Sequence, residues 1–141
     1  MLKLSSLISI GCLMGVVLLA GGTPALAQPC MVDCGSGQIQ FTPGDAVTVQ
    51  VVNRSTVQVA VEQPPMIGPR TLRPGDTTEL GFGWGTTPNI SMFLWALRDQ
   101  PVRVRLGRPV ETTLTVEIYN APSEPSDRSV YIENDGRVSI K

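Results

Sequence analysis

Cys30 and Cys34, with Met31 between them, are the residues whose type and spacing could do chemistry. They can close a small disulfide, cycle as a redox pair, or offer soft sulfur ligands to Cu(I). An export signal, described below, takes Cys12 with it, and the even count left in an exported chain favours the disulfide. The enclosed loop is only Met31-Val32-Asp33, so chain entropy gives such a bond about 2 kcal/mol at most. It is expected to pin the amino terminus locally rather than hold the fold together. The chain has no histidine, so neither a Ser-His-Asp or Cys-His nucleophile nor a histidine-containing zinc site can be built.

Paired carboxylates would serve glycoside hydrolysis, but the candidates have other work. Asp45 and Asp76 sit in Pro-Gly-Asp turns, where aspartate caps backbone amides, and Glu111 and Glu117 lie on an outward strand face opposite arginines. No catalytic residue, metal or cofactor is expected. Arg98, Arg103, Arg105 and Arg108 could receive an anionic partner such as a lipid headgroup or an acidic polysaccharide. The alternative is a solvated strand face balanced by neighbouring glutamates. In Gly81-Phe82-Gly83-Trp84-Gly85, Trp84 stands between glycines with little local reason to be buried, and tryptophan is enriched at binding hot spots. A partner-contact loop and a core plug are both open readings of Trp84, with Phe82, Met66 and Ile67 as possible neighbours.

What surrounds these residues is set first by the leader. Lys3 gives a positive start, Leu7 to Ala20 is an apolar run, and Ala25-Leu26-Ala27 fits an A-x-A cleavage site. The run is too short for a comfortable membrane span, so residues 1–27 are expected to be a signal peptide, leaving no stable span after cleavage. Removing 27 residues from 141 leaves 114, enough for one domain. Loss of Lys3 leaves ten basic residues against twelve acidic ones, and a near-neutral chain argues against nucleic acid as a partner. The expected organisation is an amino-terminal loop over 28–38 carrying the cysteines, then a single domain over 39–141.

That domain reads as all-β. Val47, Val49 and Val51 alternate along one strand and Val57, Val59 and Val61 along another, the period of a half-buried strand. Ile39 to Thr42 reads as a short strand. Asn53-Arg54-Ser55 is either a hairpin turn or a corner where the chain passes to a second sheet. Three prolines in Gln63 to Pro69 predict a loop showing Met66 and Ile67 near its tip. In Ser91 to Leu97 both faces are apolar, with Phe93, Trp95 and Leu97 opposite Met92, Leu94 and Ala96. Arg103 and Arg105 oppose Val102, Val104 and Leu106, and a turn at Gly107-Arg108-Pro109 would set Arg105 across from Glu111. Asn134-Asp135-Gly136 predicts a hairpin pairing Ile132 with Val138, Val130 with Ile140, and Glu133 with Arg137. Eight or nine strands and no helical period predict a single antiparallel β-sandwich, Ig-like or cupredoxin-like, with Greek-key connections.

The Pro43-Gly44-Asp45 start, the strand ending in Asn53 and the second Pro-Gly turn resemble the front half of cupredoxin-like sandwiches. A blue-copper centre needs two histidines and a cysteine near the carboxy-terminal ligand loop, and here only the scaffold is carried over. The Cys30/Cys34 spacing is also similar to that of copper-delivery proteins of the respiratory chain, whose distant histidine is missing here. Across Thr87-Pro88-Asn89, Phe93-Leu94-Trp95 and residues 127–137 the chain resembles small exported cyanobacterial proteins of unassigned function. That resemblance implies a periplasmic, thylakoid-lumen or extracellular location and no activity. The expected function is an exported, non-catalytic binding or structural domain. It would meet a protein partner through Trp84 with Phe82, or through one face of Phe93 to Trp95. The alternative is a thiol-based Cu(I) or redox carrier using Cys30 and Cys34. Mass spectrometry of the chain from its own exported fraction should find Gln28 at the amino terminus, a mass two hydrogens below the reduced form, and no metal. A reduced chain carrying copper would move the function to the two cysteines.

Overall fold

The computed structural model describes residues 30–82 and 89–141; Phe82 is described only as the last residue of its strand. These residues form nine strands and no helix. In chain order they are β1 (Val47–Asn53), β2 (Val59–Gln63), β3 (Ile67–Leu72), β4 (Thr77–Phe82), β5 (Ile90–Ala96), β6 (Val102–Val110), β7 (Thr113–Asn120), β8 (Asp127–Ile132) and β9 (Val138–Ile140). Two sheets result, one ordered β4-β1-β7-β6 and the other β3-β2-β5-β8-β9. Valines and leucines at alternate positions put one face of each sheet into a shared core. Val47, Val49, Val51, Leu114, Val116 and Ile118 from the first sheet join Val59, Val61, Met92, Leu94, Val130 and Ile132 from the second.

Most pairings are antiparallel, as the alternation predicts, but β1 and β7 run parallel, with Val49 beside Leu114 and Val51 beside Val116. The exclusively antiparallel expectation is corrected here. Parallel neighbours cannot be joined by a tight turn, and between β1 and β7 the chain crosses to the other sheet and back twice.

Three other expectations are corrected. Ile39 to Thr42 is not a strand; Ile39 and Phe41 are buried, and the backbone bonds the last hairpin irregularly, through Phe41 N–H to Gly136 O (2.8 Å) and Val138 N–H to Ile39 O (3.0 Å). Only the turn at 64–66 is loop in the proline-rich stretch. Ile67 opens β3, an edge strand that accommodates Pro69 because an edge amide has no ladder partner to lose. The β6–β7 turn falls at Glu111-Thr112, since β6 continues through an irregularity between Gly107 and Val110. Arg105 therefore pairs with Glu117, not with Glu111.

The last hairpin has the predicted register, Ile132 with Val138 and Val130 with Ile140. Glu133 N–H donates to Arg137 O (2.8 Å), but Arg137 N–H donates to Asp135 Oδ1 (3.0 Å), the Arg137 guanidinium turns to Asp135 (2.7 Å), and Glu133 accepts from Ser139 Oγ (3.1 Å). Gly136 is irreplaceable there for two reasons. Its φ is +82°, and a Cβ would lie 1.9 Å from Phe41 O.

Asn53 resolves the first connection as a corner. It ends β1 in one sheet, and the chain enters β2 in the other. Its side chain is fully buried and fully bonded. Nδ2 donates to Val57 O (2.8 Å) and Leu72 O (3.0 Å), while Oδ1 accepts from Ser55 N–H (3.0 Å) and Ser55 Oγ (2.6 Å). Asn53→Leu keeps the volume roughly but takes the side-chain partner from Leu72 O and Ser55 N–H and leaves Val57 O and Ser55 Oγ only each other (3.2 Å), so it should destabilise by about 3 kcal/mol or more. Urea melts of Asn53→Leu and of the exposed control Gln58→Leu check this. A loss below about 1 kcal/mol for Asn53→Leu would mean that solvent replaces the network.

Candidate functional site

The outer face of the five-stranded sheet gathers aromatic side chains. On β5 the odd residues point away from the core, leaving Phe93 and Trp95 half-buried while Met92, Leu94 and Ala96 are buried. Phe93 stands between Glu62 of β2 and Ser129 of β8, and Trp95 between Ala60 and Asp127. Ala60 is only 3% exposed, as a small residue beside an indole directly across the ladder would be. Tyr131 of β8, paired with Ser91, meets the Phe93 ring edge-on with centroids 6.4 Å apart, and the Lys141 ammonium lies 4.9 Å from its ring centroid. Trp95, Phe93 and Tyr131 thus form one aromatic row flanked by Glu62, Asp127 and Lys141. Sequence reasoning named Phe93 and Trp95 but missed Tyr131, because only the β5–β8 register brings it beside them.

Of the other partner-contact candidates, Trp84 lies outside the described residues, and Phe82 is placed in β4 only. Met66 is exposed at the β2–β3 turn, whereas Ile67 is partly buried against the core and offers little to a partner.

The disulfide candidate is formed. Cys30 and Cys34 are bonded with Cα atoms 5.7 Å apart, so neither sulfur is a thiolate donor in this state, and Cys34 is buried. Its reach exceeds the local pinning expected of it. Cys34 N–H donates to Leu106 O (2.7 Å) and Arg108 N–H to Met31 O (2.9 Å), which lays the loop along the edge of β6. Three residues after Cys34, Gly37 to Phe41 run along β9, the edge of the other sheet. The segment closes the seam between the two sheets. Among the described residues no three of His, Cys, Asp and Glu come together as a metal site. The loop also exposes Met31 and Val32 beside a small groove of about 160 Å³ bounded by Leu106, Gly107 and Pro109, which the sequence did not suggest.

The four arginines do not form one patch. The Arg108 guanidinium is consumed by Gln40 O (2.9 Å) and by Glu111 O (2.9 and 3.2 Å), and it stacks on Phe41 at 5.0 Å. Arg105 lies over the Tyr119 ring (4.9 Å) and pairs with Asp33 (3.5 Å), and Arg103 approaches the same ring at 5.9 Å. Arg98 sits apart, on the turn after β5. The anion-binding stretch read from the sequence is therefore three local arrangements, two of them already occupied.

No family model, no curated protein and no solved structure matches the chain.

Three groups on the surface have displaced proton affinities. Tyr119 is raised above the usual tyrosine value, first because its hydroxyl donates to Glu117 Oε2 (2.8 Å), then by desolvation and the Glu117 charge; Arg105 and Arg54 oppose the shift. Asp135 is lowered, chiefly by the Arg137 backbone N–H and then by its guanidinium, and Arg137 is raised by Asp135 in turn. None of these groups lines an enclosed site. A raised folded-state tyrosine value means that Tyr119 contributes stability in full below the unfolded value of about 10, and loses it as pH rises through the folded value. The stability difference between wild type and Tyr119→Phe should thus be constant below that pH and shrink above it. A difference unchanged through alkaline pH would show that the Tyr119–Glu117 bond contributes nothing.

Proposed function

We propose that the chain is an exported, non-catalytic binding domain, built as a Greek-key β-sandwich behind a signal peptide, that docks a protein partner on the outer face of its five-stranded sheet. The observation that carries this reading is the contiguous row of Trp95, Phe93 and Tyr131 on strands in the middle of that sheet. Solvent-facing positions there need no aromatic residue for the fold. On the four-stranded sheet the outer positions of β1 and β7 include Thr48, Gln50, Thr115 and Glu117, and the aromatic there, Tyr119, is covered by Arg103 and Arg105. An aromatic centre with Glu62, Asp127 and Lys141 around it has the composition of a protein interface, in which tryptophan and tyrosine supply affinity and charged groups form the rim. An exported location, periplasmic or lumenal, agrees with the leader and with the disulfide.

A photo-crosslinking residue at Ser129, between Phe93 and Lys141, should give an adduct in the exported fraction, and the same residue at Thr115 on the opposite sheet should give none. Trp95→Ala should weaken that capture roughly tenfold or more with the melting temperature held. Equal adducts from both faces would remove the reading. Unfolding of Trp95→Ala with capture kept by Phe93→Ala would assign the row to covering Ala60.

A further inference from the structure

At the end of the molecule where β1 leads to β2 and β5 to β6, a cleft of about 420 Å³ is lined by Thr56, Val57, Gln58, Pro74, Arg98 and Gln100. Its size lies within the range of small-molecule sites. Arg98, Gln58 and Gln100 make no side-chain hydrogen bond or ion pair among the described residues, and no carboxylate lines the cleft. The nearest acid in sequence, Asp99, is turned to another task. It holds a left-handed backbone conformation (φ 52°) at the tip of the turn, and its carboxylate accepts from Ser126 Oγ. Left-handed aspartate is uncommon and fixes how the turn presents Arg98 and Gln100 on either side of it. Thr56 is held in place by Asn120, whose Nδ2 donates to Thr56 Oγ1 (3.1 Å) and whose Oδ1 accepts from Thr56 N–H (2.9 Å). With that acceptor site filled, the Thr56 hydroxyl still has its own proton to donate.

An unpaired guanidinium beside two primary amides and a hydroxyl is a donor-rich surface, and Val57 and Pro74 supply the only apolar walls. We propose that this cleft binds a carboxylate carried on a polyhydroxylated ring, the chemistry of a hexuronate residue in an acidic polysaccharide. The Arg98 fork takes the carboxylate in bidentate fashion, which a guanidinium does better than any other side chain. Gln58, Gln100 and Thr56 exchange hydrogen bonds with the hydroxyls, and the C–H face of the ring rests on Val57 and Pro74. Arg108 has spent its fork on Gln40 O and Glu111 O and Arg105 is paired with Asp33, while Arg103 lies against Tyr119 on an open strand face and has no amide-lined cleft beside it.

The test is an NMR titration of the folded, oxidised chain with D-galacturonate, with D-galactose and with acetate as separate probes. Galacturonate should shift the Arg98 Nε–H and the side-chain amides of Gln58 and Gln100, and it should bind at least about tenfold more tightly than either of the others. Arg98→Gln should lose about the same factor, while Arg103→Gln, on the other side of the fold's chemistry, should change nothing. Arg98 is exposed and unpartnered, so the variant keeps its fold, which its spectrum verifies. Galactose binding as tightly as galacturonate would overturn the carboxylate role, and acetate binding as tightly would overturn the sugar. Equal binding by Arg98→Gln and Arg103→Gln would overturn the site.

Discussion

The Asn53 amide is the constraint on which the arrangement of the two sheets depends. The chain leaves the four-stranded sheet after β1, makes the β2–β3 hairpin in the other sheet, and returns to begin β4 beside β1. Both crossings pass Asn53. Its Nδ2 holds Val57 O on the way out and Leu72 O on the way back, and its backbone bonds Asp76 O (2.9 Å) and Gly75 N–H (2.8 Å) at the second Pro-Gly-Asp turn. A carboxamide has two donors and an acceptor with two lone pairs, and here all four are used inside the protein. A buried amide left unpaired costs more than most apolar contacts return, so the network accepts few other arrangements of the two crossings. Apolar burial drives the sheets together, while this amide specifies how they meet.

The opposite seam is closed differently. Along β6 and β9 the sheets present their free edges on the same side, and exposed edges invite unwanted pairing. Residues 34–41 cover both. Cys34 bonds β6, Gly37 and Phe41 bond the β8–β9 hairpin, and Arg108 reaches from β6 to Gln40 O across the Phe41 ring. The disulfide fixes the start of this segment and so shortens the part that must be ordered by its contacts. Its energetic effect is modest on loop entropy alone. Its structural effect is larger, because an irregular segment with few ladder bonds has little cooperative support of its own.

Much of this was legible in the sequence where one physical signal dominates. Valine alternation located β1 and β2, and the Asn134-Asp135-Gly136 turn set the last register. What failed was decided by long-range partners. The β6–β7 turn slipped because Gly107-Arg108-Pro109 carries turn residues, yet Arg108 N–H is bonded by Met31 O from a distant segment. Ile39 to Phe41 alternates like a strand but lies against a hairpin tip whose close approach is possible only at Gly136. Phe93 and Trp95 announced a two-sided apolar strand, but the row they form with Tyr131, 38 and 36 residues further along the chain, respectively, requires the β5–β8 pairing, a separation no local pattern encodes.

The arginines explain why composition alone misled about charge. Apart from Lys141, every basic residue described is arginine, and most of them are structural. Arg54 pairs with Glu117, Arg105 with Asp33, Arg128 with Glu124 and Arg137 with Asp135, while Arg108 clamps two segments through carbonyls. A guanidinium suits this work because its planar fork bonds carbonyls and stacks on rings at once, which an ammonium cannot. Counting arginines along β6 therefore counts braces more than binding groups. The informative quantity is the guanidinium left over beside a cavity, and by that measure Arg98 differs from its neighbours on β6. Arg70, Arg73 and Arg103 are likewise without a side-chain hydrogen bond or ion pair among the described residues, so what sets Arg98 apart is its place in a cleft between two free amides.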